Sequence, residues 1–394
     1  MALTHGLALL VTPETPQAVA TAMRGALESV GPVEVFASSS ASIGDDVMTI
    51  VDVRWPHHTD AAALHARHEV ERTVTKLAAV HPASADDSTS STKAKKTTKS
   101  AAKKKTTKSA KVSQEDASTS SSDESLVGEQ AATSATQESA HSASVSGARA
   151  VQYVFLSSAM VFGARPDNAT PLSDDTRVDT TDSAEPFVSL AATETFLVDF
   201  AASHSWFHLT ILRPAITVDA AVDAWTYPEL AGLGSADALY PDRNVQYVAL
   251  SDVASAISRV VMDQLSGTFN VSPADWLTVR EAREIAGGIP AIDLPASVSK
   301  AVVGPARAFG VIRTAPALET YLSNSIVVAS DGLRRAGWQP QLTSAEALVA
   351  SVQASWWSDL SPKRRQELAL GAVAAGALGG IALAVGVWLR RRSR

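Results

Sequence analysis

The chain has 394 residues, 45% of them hydrophobic, a formal net charge of −7 and no cysteine. Without thiols it forms no disulfide, no thiolate nucleophile and no cysteine metal centre. The length suits one large α/β domain or two small ones, and the net charge is ordinary for such a body.

The opening MALTHGLALLVTPETPQ has no basic n-region and only a short apolar run, Leu7 to Val11, before acidic residues and prolines. It does not read as a signal peptide, so the body is expected on the cytoplasmic side of any membrane. Leu7 to Val11, Val33 to Ala37 and Met48 to Val53 are predicted buried strands, with helices over Gln17 to Val30 and Ala61 to Val80. Residues 83 to 149 are almost wholly Ser, Thr, Ala, Lys, Asp, Glu and Gln, without an aromatic residue. Such a segment buries too little apolar surface to offset its chain entropy and is expected to be a disordered insertion. Within it KKTTKSA occurs twice, and Lys93 to Lys111 is rich in lysine. Clustered lysines of this kind suit contact with anionic lipid or nucleic acid, or serve as a solvated spacer.

Past the insertion, Ala150 to Leu156 is a predicted strand, Ser189 to Ser203 a helix and Phe207 to Arg213 a strand. Alternating strands and helices predict a Rossmann-like parallel sheet covered on both faces. Leu368 to Leu389, LALGAVAAGALGGIALAVGVWL, carries no charge and lies between Lys363, Arg364, Arg365 and Arg390, Arg391, Arg392, Arg394. Its length and flanks predict a single C-terminal transmembrane helix, making this a single-pass membrane protein. The expected organisation is therefore a first part of the Rossmann-like domain in 1–82, the insertion in 83–149, the rest of that domain with a small substrate-type subdomain in 150–360, and the anchor in 368–389.

Several motifs now carry a resemblance. FLSSAMVFG (Phe155 to Gly163), ILRPA (Ile211 to Ala215), VALSDVASAI (Val248 to Ile257), GTFNV (Gly267 to Val271), the following TVREAREIAG and GWQP (Gly337 to Pro340) stand in this order. Together they resemble the extended short-chain dehydrogenase/reductase family, the NAD-dependent epimerase/dehydratases acting on sugar nucleotides, with the galactose-epimerase-like branch nearest. The resemblance implies a dinucleotide cofactor, NAD or NADP, a nucleotide-sugar-like ligand and a catalytic hydroxyl at Ser158.

Three features that the resemblance calls for are missing. A pyrophosphate needs glycines after the first strand so that backbone N–H groups can approach it. VTPETPQAVA places Pro13, Pro16 and Val19 at those positions, and proline offers no N–H. The acidic ribose ligand after the second strand is replaced by alanine and serines, and one strand-helix unit is shortened away between Val30 and Met48. Proton transfer in the family needs a Tyr and a Lys four residues apart. PFVSLAATE offers Phe187 and Ala191 in one register and Pro186 and Leu190 in the other, and no lysine occurs from Val112 to Ser299. Ser158 alone is kept, and a serine at a strand end also serves as a helix or turn cap.

His57, His58, His65 and His68 do not make a ligand set, so no metal site is expected. Arg213 and Asp252 match motif positions as substrate contacts or structural ion pairs, and Trp338 is expected in the core. The reading is thus a degenerate, membrane-tethered epimerase/dehydratase-like pseudoenzyme, a binding or scaffold module. The alternatives are an active NAD(P)-dependent enzyme pairing Glu185 or Glu194 with Ser158, and a tether working through the lysine-rich insertion.

Overall fold

The computed structural model describes residues 6–11, 15–37, 47–53, 60–80, 150–181, 183–220, 230–234, 236–287 and 316–352. Strands β1 (Gly6–Val11), β2 (Val33–Ala37), β3 (Val47–Asp52), β4 (Val151–Leu156) and β5 (Phe207–Pro214) alternate with helices α1 (Gln17–Glu28), α2 (Asp60–Val80) and α3 (Glu185–Ser203). Beyond them lie β6 (Ile216–Val218), β7 (Asn244–Val245), β8 (Tyr247–Ala249), α4 (Leu250–Met262), β9 (Gly267–Val271), β10 (Leu277–Thr278), α5 (Val279–Ile285), α6 (Glu319–Ser323), α7 (Asp331–Arg335) and α8 (Ser344–Ser351).

The main sheet has six strands in the order β2-β1-β3-β4-β5-β9, and every pair in it is parallel. A strand buried on both faces needs apolar residues at consecutive positions, and the runs LALLV and VQYVFL supply them. Side chains alternate across the sheet with period two. Leu7, Leu9, Val51, Val154 and Leu212 pack with Val19, Met23 and Leu27 of α1 and Val253, Ile257 and Val260 of α4. Ala8, Leu10, Ile50, Tyr153 and Ile211 pack on the other face with Val70 and Val74 of α2 and Leu190 and Leu197 of α3. The helical spacing of Val19, Met23 and Leu27, all fully buried, is what turns one face of α1 to the sheet.

The predicted strands and helices fall on the observed ones to within a few residues, and β3 pairs directly with β1, as expected if a strand-helix unit is missing. Two two-stranded sheets, β10-β7 and β6-β8, belong to the smaller C-terminal part. Gln246 joins its segments. Its amide nitrogen, Nε2, donates to the Pro273 and Val328 carbonyls at 3.0 and 3.1 Å, and its Oε1 accepts from the Val328 N–H at 2.9 Å.

The expectation of a transmembrane helix, and with it the single-pass membrane placement, is corrected. Among the described residues no helix is long and apolar enough to cross a membrane. The segment 368–389 that prompted it lies outside the described residues. The insertion, with Lys93 to Lys111, likewise lies outside them. In the chain it falls between α2 and β4.

Candidate functional site

In open parallel sheets, ligands bind at the carboxyl ends of the strands, where the strand order reverses. Here the reversal lies between β1 and β3. After β1 the chain leads on to α1, whose N-cap is Pro16. Of the expected glycine positions, Pro13 lies outside the described residues. Pro16 contributes a carbonyl rather than an N–H, and that carbonyl already accepts from Val19 at 2.9 Å and Ala20 at 3.2 Å. Val19 is fully buried, so its isopropyl group fills the helix-sheet contact that a glycine leaves to backbone. These residues do not fit the pyrophosphate of a dinucleotide.

At the end of β4 the chain passes through Ser157 and Ser158 into a short 3-10 turn, Ala159–Phe162. Ser158 is buried and caps that turn, its Oγ accepting from the Met160 N–H at 3.2 Å. Gly163 ends it with φ +74°, a conformation that side chains rarely adopt. Ser157 makes the other contact, donating its hydroxyl to Glu194 of α3.

Glu194 is in turn held by Arg213 of β5, through Nη2–Oε2 at 2.6 Å and Nε to both carboxylate oxygens at 3.2 Å. The Arg213 guanidinium lies 4.8 Å from the centre of the Phe162 ring. Both charged groups are almost fully buried, at 4% and 7% exposure. Paired and hydrogen-bonded in this way, each charge is compensated. Arg213 therefore forms an ion pair, one of the two roles its motif position left open.

The α3 positions matched to the proton-transfer pair carry no proton donor. Phe187 is fully buried and its ring packs on Tyr321 of α6 at 4.7 Å between centroids. Leu190 and Ala191 enter the apolar cluster on the α2–α3 face of the sheet. Glu185 accepts from Ser189 one turn along α3, at 2.8 Å. The pairing of Glu194 with Ser158 does not occur, because the register of α3 brings Glu194 to Ser157.

Tyr321 carries no sequence signal of a site, because no lysine stands four residues on and no motif surrounds it. Its hydroxyl lies 3.1 Å from the Met160 carbonyl and 2.9 Å from the Ser183 Oγ. Burial pushes its phenol up from the ordinary value, with the Ser183 hydrogen bond opposing. It is one wall of a crevice lined also by Met160, Ile216, Arg243, Asn244 and Asn324, with free space for about one water molecule. Arg243 donates to the fully buried Asp237 behind this crevice, and Asp237 also accepts from the Gly234 N–H at 3.0 Å. Burial raises the Asp237 carboxyl, and the charge of Arg243 opposes that rise.

The other motif residues are structural. Asp252 accepts from the Gln341 and Leu342 N–H groups at 2.8 and 3.2 Å, tying α4 to the segment before α8. Trp338 is buried as expected, its Nε1 donating to Ser255 Oγ at 2.9 Å. His65 and His68 are exposed on α2, while His57 and His58 lie outside the described residues. No group of residues among those described forms a metal site.

No family model and no curated protein matches the chain. Solved structures do. A UDP-galactose 4-epimerase is 12% identical with a TM-score of 0.52, over 88% of this chain and 97% of that one. A UDP-glucose 4-epimerase of Thermus thermophilus, complexed with NAD, is 12% identical with a TM-score of 0.51 over the same shares. RMD from Pseudomonas aeruginosa complexed with NADPH is 13% identical with a TM-score of 0.50, over 90% of this chain and 99% of that one. At such identities the likeness speaks for architecture, and it places the chain among proteins with the fold of the NAD-dependent epimerase/dehydratases of the short-chain dehydrogenase/reductase type.

Proposed function

We propose that this protein is a pseudoenzyme on the epimerase/dehydratase fold, a binding module that performs no hydride transfer. The observation that carries this reading is the state of α3 opposite the end of β4. Phe187 fills the place of the proton-transferring tyrosine and Ala191 that of its lysine. Glu194 and Arg213, two charged groups near the end of β4, are bound to each other and, through Glu194, to Ser157. A general base must reach the proton it takes, and a carboxylate held by a guanidinium and a hydroxyl in a closed core does not. The misfit of Pro16 and Val19 with a pyrophosphate supports the same reading from the other end of the site.

The test is isothermal calorimetry of the protein with NADH, NADPH and UDP-glucose, joined to chromatography of the nucleotide sugar after long incubation. We expect no dinucleotide binding in the micromolar range and no conversion. Micromolar dinucleotide binding together with an altered sugar would overturn the proposal.

A further inference from the structure

We propose that the crevice walled by Arg243 is a binding site for a single hydrogen-bond acceptor atom, a water oxygen or a halide ion. Arg243 is only 8% exposed, and its backbone is fixed. Its main-chain N–H donates to the Tyr240 carbonyl at 3.2 Å, and its own carbonyl accepts from the Val279 N–H at 2.8 Å. In the guanidinium, Nη1 and Nη2 lie 3.5 and 3.4 Å from the Leu230 carbonyl oxygen, and Nη2 also donates to Asp237. The third nitrogen, Nε, is buried and meets no acceptor. A buried donor left unpaired costs free energy, which is why native proteins supply such groups with an acceptor.

The crevice that Arg243 lines has free space for about one water molecule. Asn244 and Asn324 line it too, and among the described residues neither the Asn244 side chain nor the Asn324 Oδ1 makes a hydrogen bond. Met160, Ile216 and Val245 supply apolar walls. One atom in this space completes the guanidinium without displacing Tyr321 or Ile326, which stay packed in the core. A phosphate, carboxylate or sugar group is too large for it. Asp237 already compensates the charge of Arg243, so a neutral water oxygen serves as well as an anion. Arg243 is thereby committed to the fold and is no clamp for the phosphates of a nucleotide.

The site stands whether or not a dinucleotide binds, and it is tested in the full chain. Arg243→Lys keeps a cation beside Asp237 but has no N–H at the Nε position. Magnetic relaxation dispersion of water counts long-lived buried waters, and the line width of chloride in NMR reads bound halide. Arg243→Lys is expected to lose either one long-lived water or most of the chloride broadening. The first loss marks the occupant as water, the second as halide. Arg283→Lys, at a second buried arginine outside the crevice wall, is expected to lose neither. Equal readings for Arg243→Lys and the unaltered protein in both measurements, or the same loss in Arg283→Lys, refute the site. Should Arg243→Lys not fold, a crystal structure of the unaltered chain grown in sodium bromide decides. Density for one atom within hydrogen-bonding distance of Nε is expected there, with anomalous scattering if it is bromide. A protein oxygen at Nε, or no density, refutes the site equally.

Discussion

Replacing Glu194 by glutamine removes the charge that compensates Arg213 while keeping the shape of the side chain. Arg213 then remains almost fully buried with a neutral amide in place of the carboxylate that it meets through three contacts of 2.6 to 3.2 Å. Breaking a buried pair from one side costs about 3–5 kcal/mol, because the charge left behind is neither solvated nor neutralised. Against a typical total of about 5–15 kcal/mol, that is a large share of the stability. Arg213→Met is expected to cost a similar amount, since Glu194 keeps only the Ser157 hydroxyl. The double variant removes both charges, and it should be more stable than the two single losses added together would allow. Equilibrium urea denaturation of the four proteins closes the cycle, and a coupling of at least about 2 kcal/mol is expected for groups in direct contact. Additive losses would show that the pair is not the organising contact between α3 and β5, and the argument that Glu194 is unavailable for chemistry would fall with it.

Two glycines give opposite expectations. A Cβ at Gly163 would run into the Asp179 carbonyl oxygen at a backbone φ of +74°, so Gly163→Ala should cost about 3 kcal/mol or more, read as a fall in Tm. Gly25 lies within α1 with nothing within 4 Å of the added Cβ, and Gly25→Ala should stabilise by about 0.5–1 kcal/mol; a common direction for both would refute the assignment of strain to Gly163. The capping boxes of α5 and α8 carry a pH signature. Glu281 and Glu346 accept from the N–H groups and hydroxyls of Thr278 and Thr343, which lowers both carboxyls below the ordinary 4.5. Their contribution is therefore present above that value and lost as the pH falls through the lowered one. Carbon-detected NMR titration should show both midpoints below that of an unstructured glutamate, and midpoints at or above it would exclude the boxes in solution.

The sequence by itself determined the elements of the sheet and their alternation. Short apolar runs such as LALLV and VQYVFL have one stable setting, between two helical layers, and the spacing of Val19, Met23 and Leu27 marks the face of α1 that meets them. It also exposed the missing chemistry, because the loss of a glycine, a tyrosine or a lysine is visible residue by residue. At Leu368 to Leu389 apolar composition alone predicts a membrane span, but that segment lies outside the described residues. The described body contains no such helix.

Which partner each polar residue takes was decided only by tertiary structure. Ser157 and Ser158 are neighbours with the same side chain, yet alternation at the strand end sends one to Glu194 and leaves the other to cap a turn. Glu194 and Arg213 are 19 positions apart and Tyr321 lies 138 positions from Ser183. No local pattern encodes such meetings, because they depend on how α3 and α6 rotate against the sheet. That rotation is set by the packing of the whole core.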